Sequence, residues 1–441
     1  MEYIKYRFFQ KASKASKEFQ RIKKIHADKV IAEITLGQVL SGMKGIPLLV
    51  TDTSKLDPNE GIRFQGYSIP ELREKLPKIS KDGEPLPEGL FYLMLIGEIP
   101  KHDDVMNLSK DFATRAHIPQ HVYDVIEAMP KSSRPMTQFS AAILAMATES
   151  IFQKAYRAGV NKQYFWDSTY EDVMNLIARL PAIAAYIYRR CFYNDVQIEP
   201  NPRLDWAGNL AHMMGFDSED IRRLFRLYMV IHADHEGGNV SAHAAHLVGS
   251  ALCNPYYAYA AAMTGLAGPL HGFANQEVIH WIFQMIEDLD TDTPTDEQVA
   301  AYCKQTLEEG RVIPGYGHAV LRKTDPRFTV QQEFAEKYIK DEPLVEIVNQ
   351  LYKVVPPILS KISKIKNPWP NVDAFSGSLL YHYGIKEYTF YTVLFGVSRA
   401  LGVLASLVND RAYGLPIERP TLHPLEWYKD KVEGLIKGDE Q

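Results

Sequence analysis

Hydrophobic and polar residues follow a helical spacing over most of this chain. Alternation typical of β-strands is confined to two short runs, 30–36 and 48–53. No internal repeat, low-complexity tract or Ser/Gly linker interrupts the pattern. The pattern therefore predicts a mainly α, multihelical protein.

Two capping boxes mark predicted helix starts. Ser68 and Glu71 form the first. Thr295 and Gln298 form the second, and its helix is predicted to end at Gly310. The glycine-rich loop that follows Gly310 is therefore expected to be anchored on a helix end.

At 441 residues the chain is long enough for two or three domains. The clearest breaks are the acidic stretch 287–292 and the proline-rich stretch 367–370. We therefore expect an inserted second domain, with a large domain formed by 1–273 and 384–441 and a small domain formed by 274–383.

Composition excludes several classes of partner. The chain has 49 Lys and Arg against 54 Asp and Glu and no basic stripe with interleaved aromatic residues, so we expect no nucleic-acid partner. It has no run of about 18 uncharged apolar residues, so we expect no membrane partner. The cysteines lie far apart, which argues against a disulfide framework and a thiolate metal site: Cys191, Cys253 and Cys303.

The first 24 residues depart from this average, with eight Lys and Arg against two Glu. Such a basic, acid-poor start resembles the tail of an organellar transit peptide. It also fits an amphipathic first helix, since Phe19 and Ile22 recur at helical spacing after Ser16. Both interpretations stay open at this point.

The stretch 311–327 has the composition of a ligand-binding loop. Pro314, Gly315 and Gly317 forbid a regular helix and let the backbone approach a ligand. We therefore expect His318 at the mouth of a cleft. The basic residues that follow suit carboxylates or phosphates: Arg322, Lys323 and Arg327. A surface turn that leads into a solvated basic segment is the alternative.

The stretch 232–246 holds four histidines and two carboxylates, so a metal site must be considered. It begins like the zinc motif His-Glu-x-x-His, but Asn239 stands where the second histidine belongs and a Gly-Gly pair breaks the helix. We therefore predict no metal site. A helix from about Ser218 is expected to stop at the glycine pair and deliver His235 to a pocket wall. The other histidines are expected to have structural contacts only: His232, His243 and His246.

His271 lies between a helix that ends at Gly268-Pro269 and another that starts near Ala274. The positive end of a helix dipole disfavours a second proton on a nearby imidazole. We therefore expect a neutral ring that donates one hydrogen bond to an oxygen that gains negative charge.

Asp373 follows a stiff segment that contains two prolines and Trp369, and it precedes a predicted helix over 374–383. An Asp at this position is most often an N-cap. The alternative is a carboxylate general base that the rigid segment orients.

Two histidines for a carbonyl and an enolate oxygen, a carboxylate base and arginines for carboxylates describe carbon–carbon bond formation through an enol. Five motifs carry these residues and resemble the citrate synthase family of the eukaryotic, mitochondrial kind: Gly268–Gly272, Pro314–Arg327, Asn367–Ala374, Gly396–Leu404 and Glu418–Pro420. The resemblance covers about residues 20–425.

The resemblance implies condensation of acetyl-CoA with oxaloacetate and hydrolysis of citryl-CoA to citrate and CoA, the tricarboxylic acid cycle reaction. Asp373 would remove a methyl proton from acetyl-CoA, His271 would hold the thioester oxygen, and His318 would polarise the ketone of oxaloacetate. Four further residues resemble those that bind oxaloacetate: His235, Arg327, Arg399 and Arg419. Three resemble basic residues near the CoA phosphates: Arg322, Lys364 and Lys366.

The resemblance also implies a two-domain, nearly all-α homodimer whose small domain closes over oxaloacetate. Arg419 would reach into the partner's active site. No cofactor and no metal are expected, and the location would be the mitochondrial matrix.

Three positions depart from the family pattern: Phe375 and Phe273, which flank catalytic residues, and Lys162, where an arginine is common. The first two put acyl-chain specificity in doubt, so 2-methylcitrate synthase, which uses propionyl-CoA, is an alternative. A further alternative, suggested by the basic N-terminus, is a citrate synthase with an additional filament-forming role.

Overall fold

The structure is a computed structural model that describes residues 2–439. Within that range it has twenty α-helices, three 3₁₀ turns and one small sheet. The helices of the first half are α1 (Glu2–His26), α2 (Leu36–Leu40), α3 (Ile69–Lys75), α4 (Pro87–Ile96), α5 (His102–Arg115), α6 (Gln120–Glu127), α7 (Pro135–Ala145), α8 (Ile151–Arg157), α9 (Phe165–Phe192) and α10 (Trp206–Met214). Those of the second half are α11 (Glu219–Ile231), α12 (Val240–Ser250), α13 (Pro255–Leu266), α14 (Ala274–Leu289), α15 (Asp296–Glu308), α16 (Pro326–Tyr338), α17 (Pro343–Leu359), α18 (Asp373–His382), α19 (Tyr391–Tyr413) and α20 (Leu425–Asp439).

The sheet is an antiparallel meander of β1 (Ser54–Asp57), β2 (Gly61–Phe64) and β3 (Tyr67–Ser68). The turn between β1 and β2 forms because the Asp57 carboxylate accepts hydrogen bonds from the N–H groups of Asn59 (2.8 Å) and Glu60 (2.9 Å).

The two predicted strands are wrong. Residues 30–35 and 48–53 are irregular, and α2 begins at Leu36. Val30 and Ile31 are both more than four-fifths exposed. Alternation favours a strand only where a neighbouring strand can pair with it, and within the described residues neither run has one.

The core is organised on α9 and α19, which pack against each other. Pro181 lies inside α9. Because proline has no N–H, the carbonyl of Ile177 lacks the hydrogen bond that a residue at position 181 would otherwise donate. The indole N–H of Trp206 donates to that carbonyl instead, at 2.9 Å. The stretch Tyr388–Tyr413 has the length and hydropathy of a membrane-spanning helix, but its apolar window is wholly buried inside this fold.

The basic N-terminal segment is helical, as one of the two interpretations proposed. α1 buries Ile4, Phe8 and Ala12 in the core. On its outer face the Lys5 ammonium lies 2.7 Å from the Asp167 carboxylate and also contacts Glu171. Residues 2–26 therefore form an amphipathic helix that belongs to the folded unit.

Both predicted capping boxes are confirmed. The Glu71 carboxylate accepts from the N–H of Ser68 at 2.8 Å, and the Gln298 side chain accepts from the N–H of Thr295 at 2.8 Å. Gly310 follows α15 with φ +75°, as a C-terminal glycine should.

Candidate active site

The loop that carries His318 is paired with the segment that leads to Asp373. The N–H of Gly317 donates to the carbonyl of Trp369 (3.0 Å), and the N–H of Asn371 donates to the carbonyl of Gly315 (2.9 Å). The Asn371 side chain links both sides, since its amide N–H donates to the carbonyl of Gly317 and its oxygen accepts from the N–H of Asp373. His318 and Asp373 are therefore held in fixed relation by backbone pairing.

Gly315 lies where this loop crosses the start of α18. Its φ is +80°, and a Cβ placed on it would lie 2.8 Å from the Cα of Ala374. Replacement by any other residue therefore both strains the backbone and displaces the residue next to Asp373.

We expect Gly315→Ala to lower the free energy of unfolding by about 1–3 kcal/mol and to reduce kcat. The matched control is Gly310→Ala, which has the same left-handed conformation, φ +75°, but open space around its Cβ. Thermal unfolding and steady-state kinetics of both variants test this. Equal effects in the two variants would show that backbone strain alone, and not the contact with α18, matters.

His318 is held as one tautomer. Its Nδ1 accepts hydrogen bonds from the N–H groups of Val320 (3.0 Å) and Leu321 (3.1 Å). A backbone N–H can only donate, so Nδ1 carries no proton and the neutral ring has its proton on Nε2. Burial, together with the positive charge of Arg327, lowers the pKa of His318 to about 4. At neutral pH this side chain therefore has one N–H donor, on Nε2.

His271 is fixed in the opposite tautomer. The N–H of Ser241, in the first turn of α12, donates to Nε2 at 3.3 Å, and the Ser241 hydroxyl lies 3.0 Å from the same atom. The proton of the neutral ring is therefore on Nδ1. Burial is the main cause that lowers the pKa of His271 to about 4, and Arg399 adds to it. The predicted neutral ring is consistent with this geometry, although the helix terminus that contacts it belongs to α12.

His235 lies in the loop between α11 and α12. α11 ends at Ile231, earlier than the predicted stop at the glycine pair. The ring centroids of His235 and His318 are 5.3 Å apart. The next residue, Glu236, has φ +56°, and its carbonyl and that of His235 both accept from the Asn239 side chain. Burial lowers the pKa of His235 well below its ordinary value, and its Nε2 is buried without a partner within residues 2–439.

Two buried arginines give this group of residues its positive charge. Arg399 is 1% exposed, and its Nε donates to the carbonyl of His232 at 2.9 Å, but no carboxylate among the described residues pairs with it. Burial lowers the pKa of Arg399 to about 10. Arg327 is also buried and pairs with Asp325 at 2.7 Å. The three imidazoles are neutral, and the carboxylates of Asp234 and Asp373 act on Arg399 only from a distance. Its guanidinium therefore lacks a direct ion-pair partner among the described residues, which favours an anionic ligand.

Asp373 is the first residue of α18, and Val372 occupies the N-cap position. The N-cap interpretation is therefore wrong. Burial raises the pKa of the Asp373 carboxyl to about 6, and the charges of Arg327 and Arg399 partly oppose that rise. The carboxylate is ionised at neutral pH and basic enough to accept a proton.

This pKa predicts the pH dependence of activity. A general base acts in its ionised form, so we expect kcat/KM to be constant above a pH of about 6 and to fall about tenfold per unit below it. His271 and His318 titrate lower, so they add no change between pH 6 and 8. A pH series of kcat/KM tests this, and an acid limb with a pKa near 4 would contradict it.

The structure does not place every predicted site residue in the cleft. The Arg322 guanidinium donates to three carbonyls of its own loop, those of residues 319 to 321. Lys364 and Lys366 are exposed on the segment before Trp369. Arg419 is exposed too, and within residues 2–439 the structure gives it no ion-pair partner.

Three residues contribute to the site in ways that were not predicted from the sequence: Asn239, Ser241 and Asn371. Asn239 caps α12, accepting from the N–H of Ala242 at 3.1 Å, and its oxygen also lies 3.5 Å from an Arg399 nitrogen. An Asn between a Gly-Gly pair and an apolar helix is an N-cap signal, which was available in the sequence. The roles of Ser241 and Asn371 depend on tertiary contacts and have no comparable local signal.

Residues 2–439 contain no group of three His, Cys, Asp or Glu side chains arranged to hold a metal ion. His246 lies 2.8 Å from Asp410, and His232 donates from Nδ1 to the carbonyl of Tyr228. His243 lies 3.2 Å from Glu418. All three histidines therefore contact groups of their own chain.

Comparison with known proteins gives one consistent result. The family model "Citrate synthase, C-terminal domain" matches residues 42–421. The chain is 52% identical over 408 residues to "Citrate synthase 4, mitochondrial" of Arabidopsis thaliana, covering 92% of this chain and 86% of that protein. It is 50% identical over 430 residues to "Citrate synthase, mitochondrial" of Saccharomyces cerevisiae, covering 98% of this chain and 90% of that protein.

Solved structures agree on the fold. The citrate synthase of Pyrobaculum aerophilum superposes with a TM-score of 0.76 at 26% identity, over 90% of this chain and 98% of that one. A citrate synthase from Thermoplasma acidophilum, solved as a ternary complex with carboxymethyl coenzyme A and oxaloacetate, superposes with a TM-score of 0.73 at 23% identity, over 87% of this chain and 96% of that one.

Proposed function

This chain belongs to the citrate synthase family and has the activity of its mitochondrial members, and we propose that the cleft around Arg399 and His318 performs that reaction on oxaloacetate and acetyl-CoA. The observation that carries the proposal is the pair of neutral histidines with opposite, fixed tautomers beside a buried arginine that has no direct carboxylate partner among the described residues.

The first step forms the nucleophile. Asp373 removes a proton from the methyl group of acetyl-CoA, and the electron pair of that C–H bond moves towards the thioester oxygen. The Nδ1–H of His271 donates a hydrogen bond to this oxygen as its charge grows. Because the donor is already oriented by Ser241, little reorganisation is needed in the transition state.

The second step forms the carbon–carbon bond. The Nε2–H of His318 donates a hydrogen bond to the ketone oxygen of oxaloacetate, and the nucleophilic carbon of the enolate attacks the polarised carbonyl carbon. The π electrons of the C=O bond move onto the ketone oxygen, which takes up one proton to become the hydroxyl of citryl-CoA, in balance with the proton that Asp373 removed. Arg327 and Arg399 bind the carboxylates of oxaloacetate, and the buried Nε2 of His235 is suited to a third polar contact. Water then hydrolyses citryl-CoA to citrate and CoA. The chemistry assigned to these side chains uses no metal or cofactor.

Closure of a small domain over oxaloacetate would exclude water from the enol. The packing of α14 on α18, α15 on α17, and both α16 and α17 on α18 supports a unit formed by 274–383. The pairing between the His318 loop and the segment before Asp373 lies within that unit, so both residues would move together. Arg399 and His271 would belong to the large domain.

A homodimer is supported by apolar side chains on one set of neighbouring elements. These elements are α12, α13 and the segment after α19. Five of their large apolar side chains are more than about two-fifths exposed: Val240, Leu247, Tyr257, Ile417 and Leu422. Arg419 lies in this last segment. A second copy that covers these side chains would bring Arg419 to the partner's oxaloacetate site.

The acyl group is the remaining specificity question. Phe375, one of the two departures next to catalytic residues, is fully buried and packs edge-on against Phe328 at 5.4 Å. Phe375 therefore fills space in the core. The presence of Phe375 instead of the usual histidine gives no support to a larger acyl pocket. Phe273 lies under the Arg134 guanidinium, 5.9 Å from its carbon.

We expect kcat/KM for acetyl-CoA to exceed that for propionyl-CoA by about 10- to 200-fold, the usual worth of one methylene in a fitted pocket. Parallel assays of citrate and 2-methylcitrate formation on one preparation test this. A higher value for propionyl-CoA would identify a 2-methylcitrate synthase instead.

The filament hypothesis has no specific support. Lys5 and Arg7, from the basic segment that suggested it, pair with acidic residues of their own chain.

A further inference from the structure

The segment that carries Arg419 leaves α19 at Gly414 and returns to the surface of α12. At Glu418 two contacts fix it. The N–H of Glu418 donates to the Ser250 hydroxyl at 3.0 Å, and the Glu418 carboxylate lies 3.2 Å from Nε2 of His243. Both contacts come from one helix, so α12 determines where this segment lies.

α12 is itself held by contacts at two points along its length. His246 lies 2.8 Å from the Asp410 carboxylate and 3.1 Å from the Ser406 hydroxyl, which both belong to α19. Asp410 outweighs the effect of burial on His246, so the pKa of His246 is raised. At its first turn, α12 holds His271 through Ser241. One rigid helix therefore supports both a catalytic residue of its own cleft and the segment that carries Arg419.

The direction of Arg419 follows from its neighbours. Pro420 restricts Arg419 to extended backbone conformations. In an extended segment successive side chains point to opposite sides, so a Glu418 side chain bound to α12 directs Arg419 away from it. The exposure of Arg419 agrees with this geometry.

We propose that His243 is a positioning residue for the reaction: by holding Glu418 on α12, it orients Arg419 for a carboxylate of oxaloacetate in the partner subunit. This inference rests on the proposed role of Arg419. His243 itself contacts neither substrate, so removing it weakens oxaloacetate binding through Arg419 alone.

The test is a double-mutant cycle of His243→Ala and Arg419→Ala in the full-length dimer, with KM measured for each substrate. We expect His243→Ala to raise the KM for oxaloacetate about tenfold, as expected for the loss of one charged hydrogen bond, with the KM for acetyl-CoA within about twofold of wild type. In the Arg419→Ala background, His243→Ala should change nothing further. His243→Gln keeps an N–H near the position of Nε2 and should restore the wild-type KM.

His212→Ala is the matched control, because it removes another histidine–carboxylate pair, 2.7 Å from Asp217, outside α12. It should leave both KM values unchanged. If Arg419→Ala has a wild-type KM for oxaloacetate, the role of Arg419 fails and this inference fails with it. If Arg419→Ala is defective but His243→Ala is not, or if the two effects add, the positioning role alone is wrong. Should His243→Ala not fold, Glu418→Ala carries the same expectations.

Discussion

Replacing Asp373 by Asn lowers kcat by about 10²- to 10⁴-fold and leaves the affinity for oxaloacetate within about twofold of wild type. The amide keeps the volume of the side chain but cannot accept a proton. Oxaloacetate binding depends on the arginines and histidines, which this change leaves in place. Steady-state kinetics and calorimetric titration with oxaloacetate measure the two quantities. Near-normal turnover in this variant would remove Asp373 from the mechanism.

The same variant should be more stable at neutral pH. Burial raises the pKa of Asp373 from 3.8 to about 6, so ionising it costs folding free energy. Each pKa unit corresponds to about 1.4 kcal/mol, which sets an upper limit of about 3 kcal/mol for the gain. The gain should be complete above pH 6 and vanish as the pH falls through 3.8, because the wild-type carboxyl is then protonated in both folded and unfolded chains. The gain in stability distinguishes a buried, ionised carboxylate from an N-cap, because replacing an N-cap residue does not stabilise a helix.

Mixing Arg419→Ala chains with Asp373→Asn chains restores activity. Each homodimer has a defect in both of its sites. If Arg419 serves the partner's site, a heterodimer has one site with both defects and one site with neither. We expect about half of wild-type activity per heterodimer if the two sites are independent.

The heterodimers are isolated with two different affinity tags so that their composition is verified. An Asp373→Asn chain mixed with wild type is the control, because it measures how one inactive site affects its neighbour. Activity no higher than the average of the two parents would show that Arg419 serves its own subunit or none.

Local signals in the sequence predicted the helix starts well. Ser68 with Glu71 and Thr295 with Gln298 were predictable because a capping box needs only residues three positions apart. The predicted positions of His271 and His318, next to helix ends marked by glycine and proline, were also consistent with the fold. The resemblance to the family then supplied roles that spacing could not.

Other features depended on contacts between distant residues. The strands were predicted at 30–36 and 48–53. The observed hairpin turns at Asp57 and begins directly after the second of these runs. An Asp at the position of Asp373 is usually an N-cap. In this fold the segment before it is hydrogen-bonded to Gly315 and Gly317, and Asp373 becomes the first residue inside the helix. Such pairing between segments more than fifty residues apart leaves no local pattern.

The tautomers of His271 and His318 illustrate the same limit. The position of His271 in the sequence predicts a neutral ring but does not indicate which nitrogen carries its proton. That depends on Ser241, thirty residues earlier in the chain. The burial of Arg399 without a direct ion-pair partner among the described residues likewise depends on tertiary packing, which no short motif determines.

The most direct measurement is a crystal structure of the protein with oxaloacetate and a non-reactive thioether analogue of acetyl-CoA. We expect Nε2 of His318 to lie within hydrogen-bond distance, about 2.7–3.1 Å, of the ketone oxygen, and the Asp373 carboxylate to lie about 3–3.5 Å from the carbon that replaces the methyl group. Arg399 and the partner's Arg419 should contact carboxylates of the same oxaloacetate. A complex in which Asp373 points away from the analogue, or in which the ketone oxygen contacts no histidine, would contradict the mechanism.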